Sequence, residues 1–359
     1  MNDSFQYIND SNIIYDDFID KNKNVIIFCT GYLNIELIIS LLSELKKSNI
    51  NVELIVTHND YVKFFSKYFR SYYNHLWNLW DKPQCFDHIY DIRGILLEKK
   101  YLKELIKKIN YKIDSRIIFF GRDFVSRDIY LINYLKQKNQ IFYLETGHLI
   151  SSNRDLSLKG IIKEKFLRLI YGNTFTYQKF DNDYFTRISN DFFNNVKMYK
   201  IDNNEIGNIF NVKKIIKIHN EIKIIFFDVP FFPKHINDDV HLLKIKILSK
   251  LNSILKKKNI AIKFHPGRKN FKKHDYYNQI SKLGTIVPDY IPSEMIDYNQ
   301  CKLAIGFGSY TLSKRSIGSV QGVCLTKLVG WDEETEGEII KQVQESNNNI
   351  YFPKNFTFW

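Results

Sequence analysis

Short apolar runs, each followed by a stretch with helical spacing, recur along this chain and narrow its folds more than any other feature. Val25–Cys29 (VIIFC) is the first run, and Tyr32–Leu45 follows it with Ile35, Ile38, Leu42 and Leu45 on one helical face. Val52–Val56 (VELIV) comes next, then Tyr61–Trp77, read as a helix. Asp87–Ile92 reads as a short strand, Leu97–Ile109 as a helix, Ile117–Phe120 as a strand, Phe124–Lys136 as a helix and Gln140–Leu144 as a strand. Strands alternating with helices imply βαβ units and a parallel sheet.

The pattern lapses and then resumes. Ser151–Ser157 is polar, Gly160–Tyr171 has helical spacing, and Thr174–Asn204 reads as irregular, rich in Asn, Asp and aromatics. Ile222–Phe227 opens a second series, followed by a helix with Val240, Leu243, Ile247, Leu251 and Ile254 on its apolar face. Further strands are expected at Ala261–Phe264, Thr285–Val287, Leu303–Ile305 and Gly322–Leu325, and a last helix at Glu333–Glu345. The 359 residues suit two domains of ordinary size. The expected organisation is α/β: two similar domains, 1–205 and 206–345, with parallel sheets facing a central cleft, and an aromatic tail, 346–359, packing back.

Three strand ends hold residues suited to chemistry. Gln140–Leu144 runs into Glu145-Thr146-Gly147-His148, Ala261–Phe264 stops at His265-Pro266-Gly267, and Leu303–Ile305 runs into Gly306-Phe307-Gly308-Ser309-Tyr310-Thr311. Open α/β sheets bind ligands outside the carboxyl ends of their strands. A carboxylate and an imidazole at such ends form an acid/base pair. The carboxylate takes a proton from a hydroxyl nucleophile, and the imidazole gives a proton or hydrogen bond to a departing phosphate, each role worth about 10²–10⁴ in rate. The plainer reading makes His265 a strand cap and Glu145 a cap on the turn that follows. Gly308–Thr311 offers backbone N–H groups at a helix start, with the hydroxyls of Ser309 and Thr311, which is an anion site; small residues open many helices without binding anything. Glu294 follows Pro292 and Ser293 in the first turn of a short helix, where it either meets the helix dipole or accepts both hydroxyls of a ribose.

Other chemistries lack their patterns. GxxxxGK[ST] is absent, no GxGxxG follows the first strand, and GxSxG is missing, which disfavours Walker-type NTPases, dinucleotide oxidoreductases and α/β-hydrolases. Cys29, Cys85, Cys301 and Cys324 lie far apart with no zinc-ligand spacing, and the nine histidines are scattered. Asp181-Asn182-Asp183 is a DxD by letters only. Neither a metal nor a cofactor is expected. Separated cysteines within apolar runs suit a reducing cytosol. The first twenty residues are acidic and lack an apolar segment, so no secretory leader is expected there.

The net charge is +13, which points to an anionic partner: nucleic acid, an anionic membrane surface or a phosphorylated substrate. Eleven of the lysines and arginines fall between Lys244 and Asp275, where most read as a solvated face. A basic nucleic-acid-binding protein is the rival from another functional class, but no RNP, helix-turn-helix or zinc-finger pattern accompanies the charge.

Glu145-Thr146-Gly147, His265-Pro266 and Ser309-Tyr310-Thr311 stand in the order of the acidic-acidic-Gly, His-Pro and Ser-Ser/Thr motifs of bacterial sialyltransferases. With NVIIFCTGYLNIELI and the stretch from Glu145 to Gly172, the chain resembles glycosyltransferase family 52, which includes lipooligosaccharide sialyltransferases. The resemblance implies a GT-B-type fold of two Rossmann-like domains, with the nucleotide-sugar on the second. It implies inverting, metal-independent transfer of sialic acid from CMP-sialic acid to a galactose-terminated acceptor of a surface glycan, lipooligosaccharide or capsule. A GT-B enzyme with another nucleotide-sugar donor is the alternative. Through the resemblance, Glu145 matches the general base and His265 the group that assists CMP departure. Ser309 and Thr311, with Gly308, match the phosphate-binding segment, Glu294 the ribose-binding carboxylate, and Pro266 and Gly267 the close approach to the nucleotide. Thr146 departs from the motif's second acid, and Gly308-Ser309 from its Ser-Ser pair. The expected setting is cytoplasmic, with peripheral contact on the anionic inner face of the cytoplasmic membrane, a homodimer, and no nucleic-acid partner.

Overall fold

A computed structural model describes residues 6–7, 24–29, 35–56, 59–78, 100–107, 115–121, 131–132, 134–146, 165, 169, 175–180, 183–188, 196–201, 214, 216–228, 238–265, 275–308 and 310–355. The chain divides into two compact units, Met1–Val212 and Lys213–Trp359.

The first unit runs β1 (Gln6–Tyr7), β2 (Val25–Cys29), α1 (Ile35–Lys47), β3 (Val52–Val56), α2 (Asn59–Tyr68), β4 (His75–Asn78), β5 (Arg116–Gly121), β6 (Gln140–Thr146), β7 (Phe175–Phe180), β8 (Asp183–Ile188) and β9 (Val196–Ile201). Residues 100–107 are also helical. Its sheet has the order β1-β9-β6-β5-β2-β3-β4, and every pairing is parallel. Numbered from β2 and leaving aside β1, this is 3-2-1-4-5-6, the doubly wound Rossmann order. The apolar runs are central strands because both their faces are covered: all of β2 and β3 is buried. Helix α1 ends in a Schellman motif. Asn49 takes φ 55°, its N–H reaches Lys46 O, and the N–H of Ile50 reaches Leu45 O at 3.0 Å.

Two expectations for this unit need correction. The helix read over Tyr61–Trp77 stops at Tyr68, and a 3₁₀ turn at Arg70–Tyr72 leads into β4. β4 is an edge strand with no buried residue, so it shows no apolar run. It is fastened instead by Asn74, whose N–H donates to Val52 O (2.7 Å) while its Oδ1 accepts from Val52 N–H (3.0 Å), and by Trp77 Nε1 donating to Glu53 (3.3 Å). The stretch read as irregular, Thr174–Asn204, contains the antiparallel pair β7–β8 and also β9, which joins the main sheet. The strand expected at Asp87–Ile92 lies outside the described residues.

The second unit repeats the plan with β10 (Ile216–Lys217), β11 (Ile224–Asp228), α3 (Asp238–Ile254), β12 (Ile260–Phe264), α4 (Asp275–Ser281), β13 (Thr285–Val287), β14 (Ile296–Asp297), β15 (Leu303–Gly306), α5 (Lys314–Ile317), β16 (Gln321–Cys324), α6 (Glu333–Ser346) and β17 (Ile350–Tyr351). Its six-stranded sheet is β13-β12-β11-β15-β16-β17, all parallel, and numbered from β11 it is again 3-2-1-4-5-6. The chain is therefore α/β, with two Rossmann-like units, the domain content expected of the GT-B type.

The period-two alternation of strands sorts this sheet into two faces. Ile224, Phe226, Ile260, Ile262, Phe264, Ile305 and Phe307 pack with Val240, Ile247, Leu248 and Leu251 of α3 and with Tyr276 and Ile280 of α4. The intervening residues look the other way. There the Phe227 ring meets Tyr298 at 6.0 Å, and Leu312 fills the space beside Gly306. Among the described residues no cluster of His, Cys, Asp and Glu could hold a metal ion, and no helix is long and apolar enough to cross a membrane.

Candidate functional site

The sheet order of the second unit puts its topological switch point between β11 and β15, the two strands from which the connections run in opposite directions. Ligands of doubly wound sheets bind at that crevice, beyond the carboxyl ends. β11 ends there in Asp228, β12 beside it in Phe264 and His265, and β15 in Gly306, followed by Phe307 and Gly308.

His265 is exposed, and its backbone N–H donates to Asp228 O at 3.1 Å, which carries the β11–β12 ladder one residue past the strand. In the alternation of β12, His265 is in phase with Lys263. Lys263 is buried, and its ammonium donates to Phe264 O and to Asp289 O, both at 3.2 Å. That second contact ties the strand to the segment leading to Glu294.

Glu294 sits in a 3₁₀ turn, Ser293–Met295, which follows Pro292. The turn is braced from beneath by Tyr298, whose hydroxyl donates to Ser293 O at 2.9 Å. Burial pushes the Tyr298 hydroxyl well above the usual phenol range, and the Glu294 carboxylate adds to the shift. Glu294 itself is half-buried, and its turn packs against α5, the helix that follows Gly308–Thr311.

At the end of β15, Gly308 has φ +79°, and a Cβ placed there would lie 2.3 Å from Ile339 Cγ2 and 3.5 Å from Thr326 Oγ1. Only glycine fits, for backbone and steric reasons together. The N–H groups of Gly308 and Thr326 both point at Cys324, whose thiol is nonetheless pushed up to about 11 by burial. The segment differs from the expected helix start. Tyr310–Leu312 is a single 3₁₀ turn, and α5 begins after Ser313, which caps it by accepting from Ser316 N–H at 3.3 Å. Thr311 is half-buried within the turn. Ser309, Pro266 and Gly267 lie outside the described residues.

His265, the Glu294 turn and the 310–317 segment thus gather on one side of the sheet, the side away from α3 and α4. Two inter-strand steps of roughly 4.8 Å put the His265 and Gly308 backbones roughly 10 Å apart. Glu145 belongs to the other unit, near the end of β6, in register with Gly121 of β5 and Lys200 of β9.

A buried polar cluster that sequence reasoning missed lies on the opposite face. Asp228 and Lys244 have no exposed side-chain surface and form an ion pair at 2.8 Å, and the Tyr276 hydroxyl donates to the same carboxylate oxygen at 3.1 Å. The sequence reading assigned most lysines of this stretch to a solvated face, but Lys244 is wholly buried. The available signal was its helical phase with Val240, Ile247, Leu248 and Leu251, all of which are core.

No protein-family model matches the chain, and no curated protein matches it. Among solved structures, the chain is similar to the UDP-GlcNAc 2-epimerase from Methanocaldococcus jannaschii in complex with UDP-GlcNAc and UDP, at 16% identity over 92% of this chain and 94% of that one, with a TM-score of 0.44. It is similar to the calicheamicin glycosyltransferase CalG4 at 8% identity over 92% and 86%, TM-score 0.45. It is also similar to the family 9 glycosyl transferase from Veillonella parvula DSM 2008, at 11% identity over 85% and 81%, TM-score 0.38.

Proposed function

We propose that this chain is a glycosyltransferase that takes its donor from a nucleotide-sugar bound at the carboxyl end of the second unit's sheet. One observation carries the reading: an exposed imidazole, a half-buried carboxylate and a tight glycine turn gather on one side of a Rossmann sheet beside its switch point. These are the groups a departing nucleotide needs. His265 gives a proton or hydrogen bond to the leaving phosphate as negative charge builds on it. Gly308, Ser309 and Thr311 hold that phosphate, Glu294 accepts the ribose hydroxyls, and Pro266 and Gly267 let the backbone approach the nucleotide. Glu145 takes the proton of the acceptor hydroxyl as it attacks, so the bond to the acceptor oxygen forms while the bond to the phosphate oxygen breaks.

For the donor itself, the order of the Glu145, His265 and Ser309–Thr311 motifs supports CMP-sialic acid with a galactoside acceptor. Saturation-transfer NMR with CMP, UDP and GDP tests this choice. Preference for CMP, followed by sialyl transfer to a galactoside seen by mass spectrometry, is expected. Preference for UDP or GDP overturns the sialyl assignment and leaves a transferase of another sugar.

The positive charge supports contact with an anionic membrane surface, through a definite patch of the first unit. Lys63, Lys67 and Arg70 are exposed at helical spacing along α2 and just beyond it. Lys46, at the end of α1, donates to Ser71 Oγ at 2.9 Å and lies 4.5 Å from the half-buried Tyr72 ring. Each such cation near an anionic leaflet contributes up to about 1 kcal/mol. Flotation with phosphatidylserine vesicles is expected to recover the protein and neutral vesicles to leave it behind; equal recovery from both sinks the assignment.

A further inference from the structure

We infer that Asp228, Lys244 and Tyr276 are positioning residues that hold His265 and the Gly308 turn in register at the nucleotide-binding end of the second unit. The inference deepens the function proposed above and rests on it for its consequence in catalysis, although the geometry it claims is independent of any substrate.

The cluster is a poor way to obtain stability. A buried ion pair gains little over well-packed apolar residues of similar volume, because desolvating two charges offsets their attraction. Apolar side chains already surround this one, with Ile224, Phe226, Val240 and Leu248 on the same face. What the pair does that an apolar pair would not is fix directions, since hydrogen bonds fail quickly when misaligned.

Its contacts are distributed accordingly. The backbone carbonyl of Asp228 takes the His265 N–H, and its carboxylate takes Lys244 from α3 and Tyr276 from α4. The Lys244 ammonium also lies 5.3 Å from the Phe307 ring, directly before Gly308, and 5.9 Å from the Tyr276 ring. Tyr276 is in turn backed by His241 at 4.3 Å between ring centroids. The buried charges therefore link the end of β11 to Phe307 beyond β15 and to both helices of that face, and the Asp228 backbone links the same point to the end of β12. His265 precedes Pro266, which has no N–H to donate. The His265 N–H is thus the last backbone donor before Pro266, and the position of the His265 backbone follows where Asp228 is held.

The test compares wild type with Tyr276→Phe, which keeps the ion pair and removes one hydrogen bond, and with the double variant Asp228→Asn/Lys244→Met, which removes both charges. Hydrogen exchange of the His265 amide, thermal melting, and binding of CMP, UDP and GDP are measured on each full-length protein. Both variants are expected to melt close to wild type and yet to lose tenfold or more of the His265 amide protection. The nucleotide that wild type binds is expected to bind at least fivefold more weakly. His265 protection and nucleotide affinity within twofold of wild type overturn the inference and leave the proposed function standing. A wild type that binds no nucleotide overturns the proposed function, and the exchange of His265 still decides whether the cluster sets the strand end. Should the double variant fail to fold, Tyr276→Phe decides by the same limits.

Discussion

Gly308 is held by two constraints that separate experimentally. Gly308→Ala places a methyl 2.3 Å from Ile339 Cγ2 and forces a side chain onto φ +79°. Left-handed backbone costs an alanine roughly 1–2 kcal/mol, and overpacking adds roughly 1–3 kcal/mol. Urea unfolding of Gly308→Ala should show that combined loss, and adding Ile339→Ala should return the steric share but not the backbone share. For the acid/base pair, Glu145→Gln is expected to reduce transfer by about 10²–10⁴ while nucleotide binding persists, and His265→Ala to reduce it over a similar range. Steady-state kinetics with titrated nucleotide checks both, and a wild-type rate in Glu145→Gln removes its role as base. At this scale the sequence was readable where a residue type is rare in its position. A His-Pro after an apolar run and a glycine between β15 and a turn both stand out. Lys244 did not, because a buried lysine and an exposed one look alike until the phase of the helix is traced. Asp228 was visible as the end of a strand, but not as the hub of a cluster, since its partners lie 16 and 48 residues further on.

Elements that are buried on both faces were legible; of those at edges, β13 was read and β1, β4 and β17 were not. β2, β3, β11 and β12 are largely apolar runs because water reaches neither side of them, and the charged residues within them, Glu53, Asp228 and Lys263, are buried as well. β4 and the β7–β8 pair lack that signature. β4 is an edge strand paired on one side with β3 and further tied by Asn74 and Trp77, and among the described residues β7 and β8 pair with one another alone. Two polar residues between two aromatic-rich runs were the available hairpin signal at 181–182. Capping was also understated. Helix α6 opens on Asp332, which accepts from Thr335 N–H and from Thr335 Oγ1, both at 2.8 Å, ahead of Glu333, Glu334 and Glu336 in its first turn. Asp332→Ala should cost about 1 kcal/mol in chemical unfolding. Because Ile339 of this helix faces Gly308, and Asn347 just past its end donates to Leu312 O at 2.9 Å, the same substitution should also raise amide exchange in the Gly308–Leu312 turn.

Each unit has a complete Rossmann-order sheet of its own, and that of the second unit has a core built from its own residues, with β10 paired to β14 within the same unit. A chain of residues 213–359 is therefore expected to fold alone, with α/β circular dichroism and a single cooperative urea transition; a featureless melt would show that it needs the first unit. The two-domain layout was legible because the strand–helix alternation stops and restarts. The placement of β1 was not, since two residues carry no period. Yet β1 has a consequence for how the protein is made. Gln6 and Tyr7 line up with Tyr199 and Lys200, so these two residues join a strand that is synthesised nearly two hundred residues after them. Until then Gln6 and Tyr7 lack their partner in this sheet, and once paired they cover Tyr199 and Lys200 on the outer rim of β9 against docking by the strands of another nascent chain.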